Sequence, residues 1–169
     1  MNMKTSFKIS LCGILSAAAL ISFMLENLFP PIILPGARLG ISNAFILLSA
    51  VLLGGKYGIA TLIIKTVIGS IFAGNPSAIM YSLPAGLAAL TLELILLHFT
   101  SVSVVATSVL GAVINTTVQN LTFCLVTNAV EYLLYLPYLG LIGAVGGVAV
   151  GLIVYLVVKK LPENKFINQ

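Results

Sequence analysis

Pro30-Pro31-Ile32-Ile33-Leu34-Pro35-Gly36-Ala37-Arg38-Leu39-Gly40-Ile41-Ser42-Asn43 is apolar, is broken by proline and glycine, and carries one arginine. It lies between two stretches that read as membrane helices. Hydrocarbon offers no water to satisfy backbone N–H and C=O groups, so irregular chain at membrane depth is tolerated only where it is buried in protein or lines a cavity. The segment therefore sets the class of fold expected on either side of it, and it is the first place to look for function.

Working outward, hydrophobic residues make up 60% of the 169 positions and charged residues 7%. Soluble domains carry roughly a quarter charged residues, so the composition excludes an ordinary soluble domain and implies an all-α, multi-pass membrane protein. A spanning helix needs about 20 mostly apolar residues. Charges, prolines and polar clusters divide the chain into six spans of a single transmembrane domain, at roughly 8–29, 39–54, 57–73, 78–99, 102–128 and 137–158, with five spans as the main alternative. The second and third spans are short and separated by little more than Gly54-Gly55-Lys56, which reads as a helical hairpin. Lys4 and Lys8 before an apolar run resemble a signal peptide, but that run continues to Phe29, longer than a signal core. Cys12 and Cys124 fall within spans and suit small core residues better than a disulfide or a metal pair.

Lysines and arginines in short loops orient such a chain. With both termini in the cytoplasm, Lys4, Lys8, Lys56, Lys159, Lys160 and Lys165 lie inside and only Arg38 lies in an outer connection. The net charge of +4 then reflects topology in a cell membrane and requires no nucleic acid. On this orientation the 30–43 segment, the Gly74-Asn75-Pro76 turn and the Glu131–Pro137 connection face outward, and His98 lies near the inner surface.

Polar side chains within spans are costly and mark candidate sites. Lys65 lies near the middle of the third span, on one helical face with Gly69 and Phe72, where an ammonium serves either as a point charge for an anionic group or as a snorkelling or ion-paired structural lysine. In the fifth span Asn115, Gln119 and Thr122 form a stripe, with Asn120, Thr127 and Glu131 on an adjoining face. Amides supply donors and acceptors to a heteroatom-rich ligand, or they bond helix to helix. Glu26 and Arg38 read as an ion pair holding the outer segment, although the arginine fork equally suits a phosphate or carboxylate. Asn43 caps either a ligand or a helix start. Tyr81, Ser82, Pro84 and Gly86 gather in the outer half of the fourth span, as a ligand-contacting break or a plain kink. Glu93, deeper on that helix, is either a proton-carrying or docking acid or a hydrogen-bonded structural one. Gly13 with Ala17, and Ala18 with Ser22, have the small-xxx-small spacing of a close helix contact, within the bundle or against another membrane subunit.

The chain contains no aspartate, and its acidic residues are Glu26, Glu93, Glu131 and Glu163. Magnesium-diphosphate chemistry needs clustered oxygen ligands, a lone His98 forms neither a metal cluster nor a catalytic triad, and there is no phosphate-binding Gly-x4-Gly-Lys-Ser/Thr loop. The residues therefore point away from an enzyme and toward no bound cofactor or metal. ATP, if used, is bound by another chain.

These residues resemble the Gx transporter family, often labelled heptaprenyl diphosphate synthase component I. The resemblance rests on Leu25-Glu26 followed by Pro30, on Pro35 to Asn43 read as Pro-Gly-x-basic-Leu-Gly-x-small-Asn, and on Ser82 to Gly86. Lys65 stands where the family commonly has an arginine. After Gly111-Ala112 the usual His-Asn-x-x-Gln is replaced by Asn115, Thr116 and a retained Gln119. The family looks like the S components of energy-coupling factor transporters, six-helix proteins that bind vitamin-like molecules near the outer face. The resemblance implies an S-component-like bundle whose partners are a coupling membrane subunit and ATPase subunits. It implies that Gly13, Ala17 and Ala18 dock the coupling subunit, and that the cargo is a flavin, a quinone precursor or another aromatic or anionic molecule. The expected substrate site is Arg38, Asn43, Lys65, Tyr81, Asn115 and Gln119. The rival expectation is an accessory membrane subunit of isoprenoid synthesis, and a third is a carrier that works without an ATPase.

Overall fold

The computed structural model describes residues 4–28 and 40–160. Within them the chain forms six α-helices: α1 (Thr5–Leu28), α2 (Ser42–Leu53), α3 (Gly55–Phe72), α4 (Ile79–Phe99), α5 (Val104–Thr127) and α6 (Leu136–Lys159). Short 3-10 turns, Pro76–Ala78 and Val130–Tyr135, precede α4 and α6, and no strand occurs among the described residues.

Local chemistry accounts for the breaks between helices. Gly54 joins α2 to α3 at φ 109°, a conformation that disfavours any side chain. The Ser103 hydroxyl accepts from the Ala106 amide at 3.2 Å and caps α5. Asn128 ends α5 in the left-handed region, φ 56°, which asparagine tolerates better than most residues. Pro137 sits in the first turn of α6, where its missing N–H costs nothing.

Five helical stretches are long and apolar enough to cross a membrane, and α2 is the shorter apolar sixth. At 12 residues, α2 extends about 18 Å, well short of a hydrocarbon layer of about 30 Å. It is nevertheless the most enclosed element. Nine of its residues are buried, and it packs against α1, α3, α4 and α6. A short helix is stable there because protein, rather than lipid, surrounds its ends.

The distribution of polarity is that of a membrane bundle. Large apolar side chains such as Ile14, Ile21, Leu125, Leu141, Val145 and Leu156 are exposed, a surface that water would not tolerate. The interior holds Ser16, Ser49, Thr61, Lys65, Thr66, Glu93, Thr107 and Asn120. A hydroxyl chain joins α1, α3 and α2: Ser16 donates to Thr61 at 3.2 Å, and Thr61 donates to Ser49 at 3.1 Å. Cys12 lies against the same threonine, and both cysteines are buried and free. On the other side α5 and α6 approach closely through glycine: a Cβ at Gly147 or Gly151 would stand 2.8 or 2.7 Å from the Cα of Val109 or Val105.

The apolar core is concentrated at one end of the bundle, where Cys12, Leu53, Leu97, Val104, Val154 and Val158 cluster. Lys56 and Lys159 border that end, at the start of α3 and the end of α6. The opposite end, reached by the C-terminal end of α1 and the N-terminal ends of α2, α4 and α6, is looser and more polar.

Candidate functional site

A cavity of about 330 Å³ runs from that looser end into the bundle, within the size range of small-molecule sites. Its mouth region is lined by Glu26, Gly40, Tyr81 and Tyr132, its middle by Asn43, Lys65, Asn115 and Gln119, and its deep part by Glu93, Gly111 and Val150. Apolar packing by the core cluster closes the far end.

Lys65 is 8% exposed. Its ammonium donates to the Asn43 side-chain oxygen at 2.9 Å and lies 5.3 Å from the centroid of the Phe23 ring, an attractive cation–π arrangement. Gly69, one turn further on, packs against Phe23 and leaves no room for a Cβ. Phe72 continues this face of α3 to the last residue of the helix. There it is 67% exposed among the described residues, so it lies beyond the covered part of that face.

Glu26 has a more definite role than the sequence indicated. One carboxylate oxygen accepts the Ile41 amide and the other accepts the Ser42 hydroxyl at 3.2 Å, so Glu26 caps the start of α2 from α1. Arg38, its expected partner, lies outside the described residues, as does most of the 30–43 segment.

Asn115 and Gln119 line the cavity, and the Gln119 amide reaches the Ser82 hydroxyl at 3.5 Å. Thr122 departs from their stripe: its hydroxyl donates to the Val118 carbonyl of its own helix at 2.7 Å, and it does not line the cavity. Thr116, Asn120 and Phe123 also line the cavity from α5, with Ser108, Gly111 and Ala112 deeper on the same helix. Thr127 and Glu131 are exposed at the end of the bundle, away from Asn120.

Aromatic rings frame the mouth. Tyr81 meets Phe123 edge to face at 5.4 Å, and Phe123 meets Tyr132 at 5.2 Å. The Asn75 amide donates to the Tyr81 hydroxyl at 3.4 Å. Phe23 and Phe123 have no periodic signature of their own within apolar spans, and Tyr132 lies in the 3-10 turn before α6, so the sequence alone did not mark them. Proline does not break α4, which runs continuously through Pro84.

On α1 the two small-residue pairs separate. Gly13 and Ala17 are exposed, with open space around Gly13, whereas Ala18 and Ser22 are partly covered. Gly13 thus makes no close packing contact within the described bundle, and Ala17 faces outward beside it.

The family model described as heptaprenyl diphosphate synthase component I matches residues 15–157. The chain belongs to that family. The matched region of this component I family member takes in nearly all of α1 to α6 and with them the whole cavity wall. Neither the curated proteins nor the solved structures contain a match to the chain.

Proposed function

We propose that the chain is the membrane-embedded substrate-binding component of a transporter of the energy-coupling factor type, with both termini in the cytoplasm and the looser end facing outward. It captures a small vitamin-like, flavin-like or quinone-precursor molecule, and a coupling membrane subunit with ATPase subunits drives its reorientation. It catalyses no reaction itself.

One observation carries this reading. Asn43, Lys65, Tyr81, Asn115 and Gln119 come from four different helices and line one cavity. Polar side chains used only as interhelical bonds would be consumed pairwise at separate contacts; here they border a shared space of ligand size. In this reading Lys65 meets an anionic or acceptor group, Asn115 and Gln119 orient the molecule, and the aromatic frame at the mouth holds its apolar part. Arg38 is proposed to contribute from the outer segment. The lysines at the closed end support the orientation, and the exposed Gly13–Ala17 face, with Ala18 beside it, supports docking of a coupling subunit.

The family description favours a second reading, an accessory membrane subunit of isoprenoid diphosphate synthesis. The absence of aspartate from the sequence argues against direct handling of a magnesium diphosphate, but an accessory role needs no such site. Affinity purification of the full chain from its own membranes in mild detergent separates the two. Co-purification of a membrane subunit and ATPases, with a small molecule bound by native mass spectrometry, is the expected result. Recovery of a prenyl diphosphate synthase without ATPases would replace the transporter reading.

A further inference from the structure

The cavity has two chemically different ends. Lys65 and Asn43 stand at mid-depth, whereas Glu93 lies on α4 eleven residues beyond Ser82, about 16 Å further along the helix. The Glu93 side chain is 9% exposed and lines the cavity. Its carboxyl has no hydrogen-bond or ion-pair partner among the described residues, although Glu26, only partly buried, engages two donors. Burial of a polar group without a partner is unfavourable, and an acid kept for folding is normally satisfied. Gly111 on α5 makes the room: a Cβ at that position would stand 2.6 Å from Glu93 Cγ and closer still to the carboxyl. Any side chain on α5 there would displace the acid.

We propose that Glu93 is the donor-recognising end of the site: it accepts a hydrogen bond from an N–H or O–H group of a cargo whose other end presents an anionic or acceptor group to Lys65. The inference rests on the capture reading above and narrows it to bipolar small molecules. A carboxyl accepts through either oxygen when ionised and still offers an acceptor when protonated, so the pairing holds in both states. The acid is costly to the empty protein, and its benefit arises only when cargo is bound.

The test uses the purified full chain in nanodiscs and paired probes of three lengths: benzoate with 4-aminobenzoate, 2-naphthoate with 6-amino-2-naphthoate, and biphenyl-4-carboxylate with its 4′-amino derivative. At one length or more, the amino acid probe is expected to bind about tenfold tighter than its partner, the effect of one charge-assisted hydrogen bond. Glu93→Leu should erase that ratio while leaving the affinity for the plain acid unchanged, and Glu93→Gln, still an acceptor, should keep part of it. Gly111→Ala, which moves the carboxyl without removing it, should also lower the ratio. Ligand-free Glu93→Leu should melt above the parent protein, whereas loss of a structural acid would lower melting. Equal affinities within every pair, or a ratio unchanged in Glu93→Leu and Gly111→Ala, would overturn the assignment. If the plain acids bind and lose affinity in Lys65→Met while no donor advantage appears, the donor end fails and the capture reading stands. Binding of no probe at any length sinks both.

Discussion

The Lys65 ammonium on α3 donates to the side-chain oxygen of Asn43 on α2 at 2.9 Å, and both residues line the same cavity. The bond ties the shortest helix to the middle of a full-length one, at the depth where a cation in a membrane bundle costs most. An ammonium has three donors, and one of them is directed at Asn43. The arrangement fixes a positive point charge on the cavity wall instead of letting it snorkel to an interface.

Lys65→Met removes the charge and keeps most of the side-chain volume. Binding of anionic probes such as 2-naphthoate should fall by at least about tenfold, in line with loss of a charge-assisted hydrogen bond, while the melting temperature in detergent changes little. Asn43→Ala should lower both, because it removes an acceptor from a buried cation. Isothermal titration and a thermal melt on the same samples distinguish the cases. Unchanged affinity in Lys65→Met would remove the lysine from the binding wall.

Glu26→Ala should loosen the start of α2 selectively. The Ile41 amide and the Ser42 hydroxyl both lose their acceptor, a change comparable to losing a helix cap, about 1–2 kcal/mol. Hydrogen–deuterium exchange should rise at Ile41–Asn43 and remain unaltered in α5 and α6. Glu26→Gln, which retains acceptor oxygen but only one of the two, should fall between.

Much of the architecture was legible in the sequence because charge is so scarce: with few polar residues in the spans, each one reports a helix interior, and the apolar stretches between turns report the helices. The α2–α3 hairpin followed from Gly54-Gly55-Lys56, but the enclosure of α2 did not, since its twelve residues look like a truncated span until their neighbours are known. Lys65 and Gln119 stand out in the sequence as polar side chains within spans, and both line the one cavity, from α3 and α5. Thr122 shows the limit of spacing, because a threonine hydroxyl can turn back to the i−4 carbonyl and leave the stripe its position implies. Glu93 shows another: whether a buried acid is partnered depends on a close approach at Gly111 that helical periodicity does not encode.

Gly151→Val should separate α5 from α6. A Cβ at Gly151 already stands 2.7 Å from Val105 Cα, a backbone atom that cannot rotate away, so the helices must move apart or the variant must unfold. Overpacking of this kind costs roughly 1–3 kcal/mol or more. Gly140→Val, on the same helix with no atom within 4 Å of its Cβ position, is the matched control and should melt like the parent protein. Equal melting of the two would mean that α5 and α6 are not in close contact at Gly151.

Gly13→Leu tests the proposed partner face without disturbing the bundle. Gly13 is exposed on α1 with nothing within 4 Å of its Cβ position, and replacing a mid-helix glycine adds helix propensity of up to about 1 kcal/mol. Intrinsic stability should therefore hold or rise slightly, and ligand affinity should not change. If Gly13, with the exposed Ala17 one turn on, admits a helix of a coupling subunit at short distance, the added side chain must block it, and the ATPase-containing complex should no longer co-purify. Gly140→Leu, on α6 and likewise with no atom within 4 Å of its Cβ position, should leave that complex intact. Loss of the complex in both variants would indicate a non-specific effect of added bulk, and retention in both would place the coupling contact on another face of the bundle.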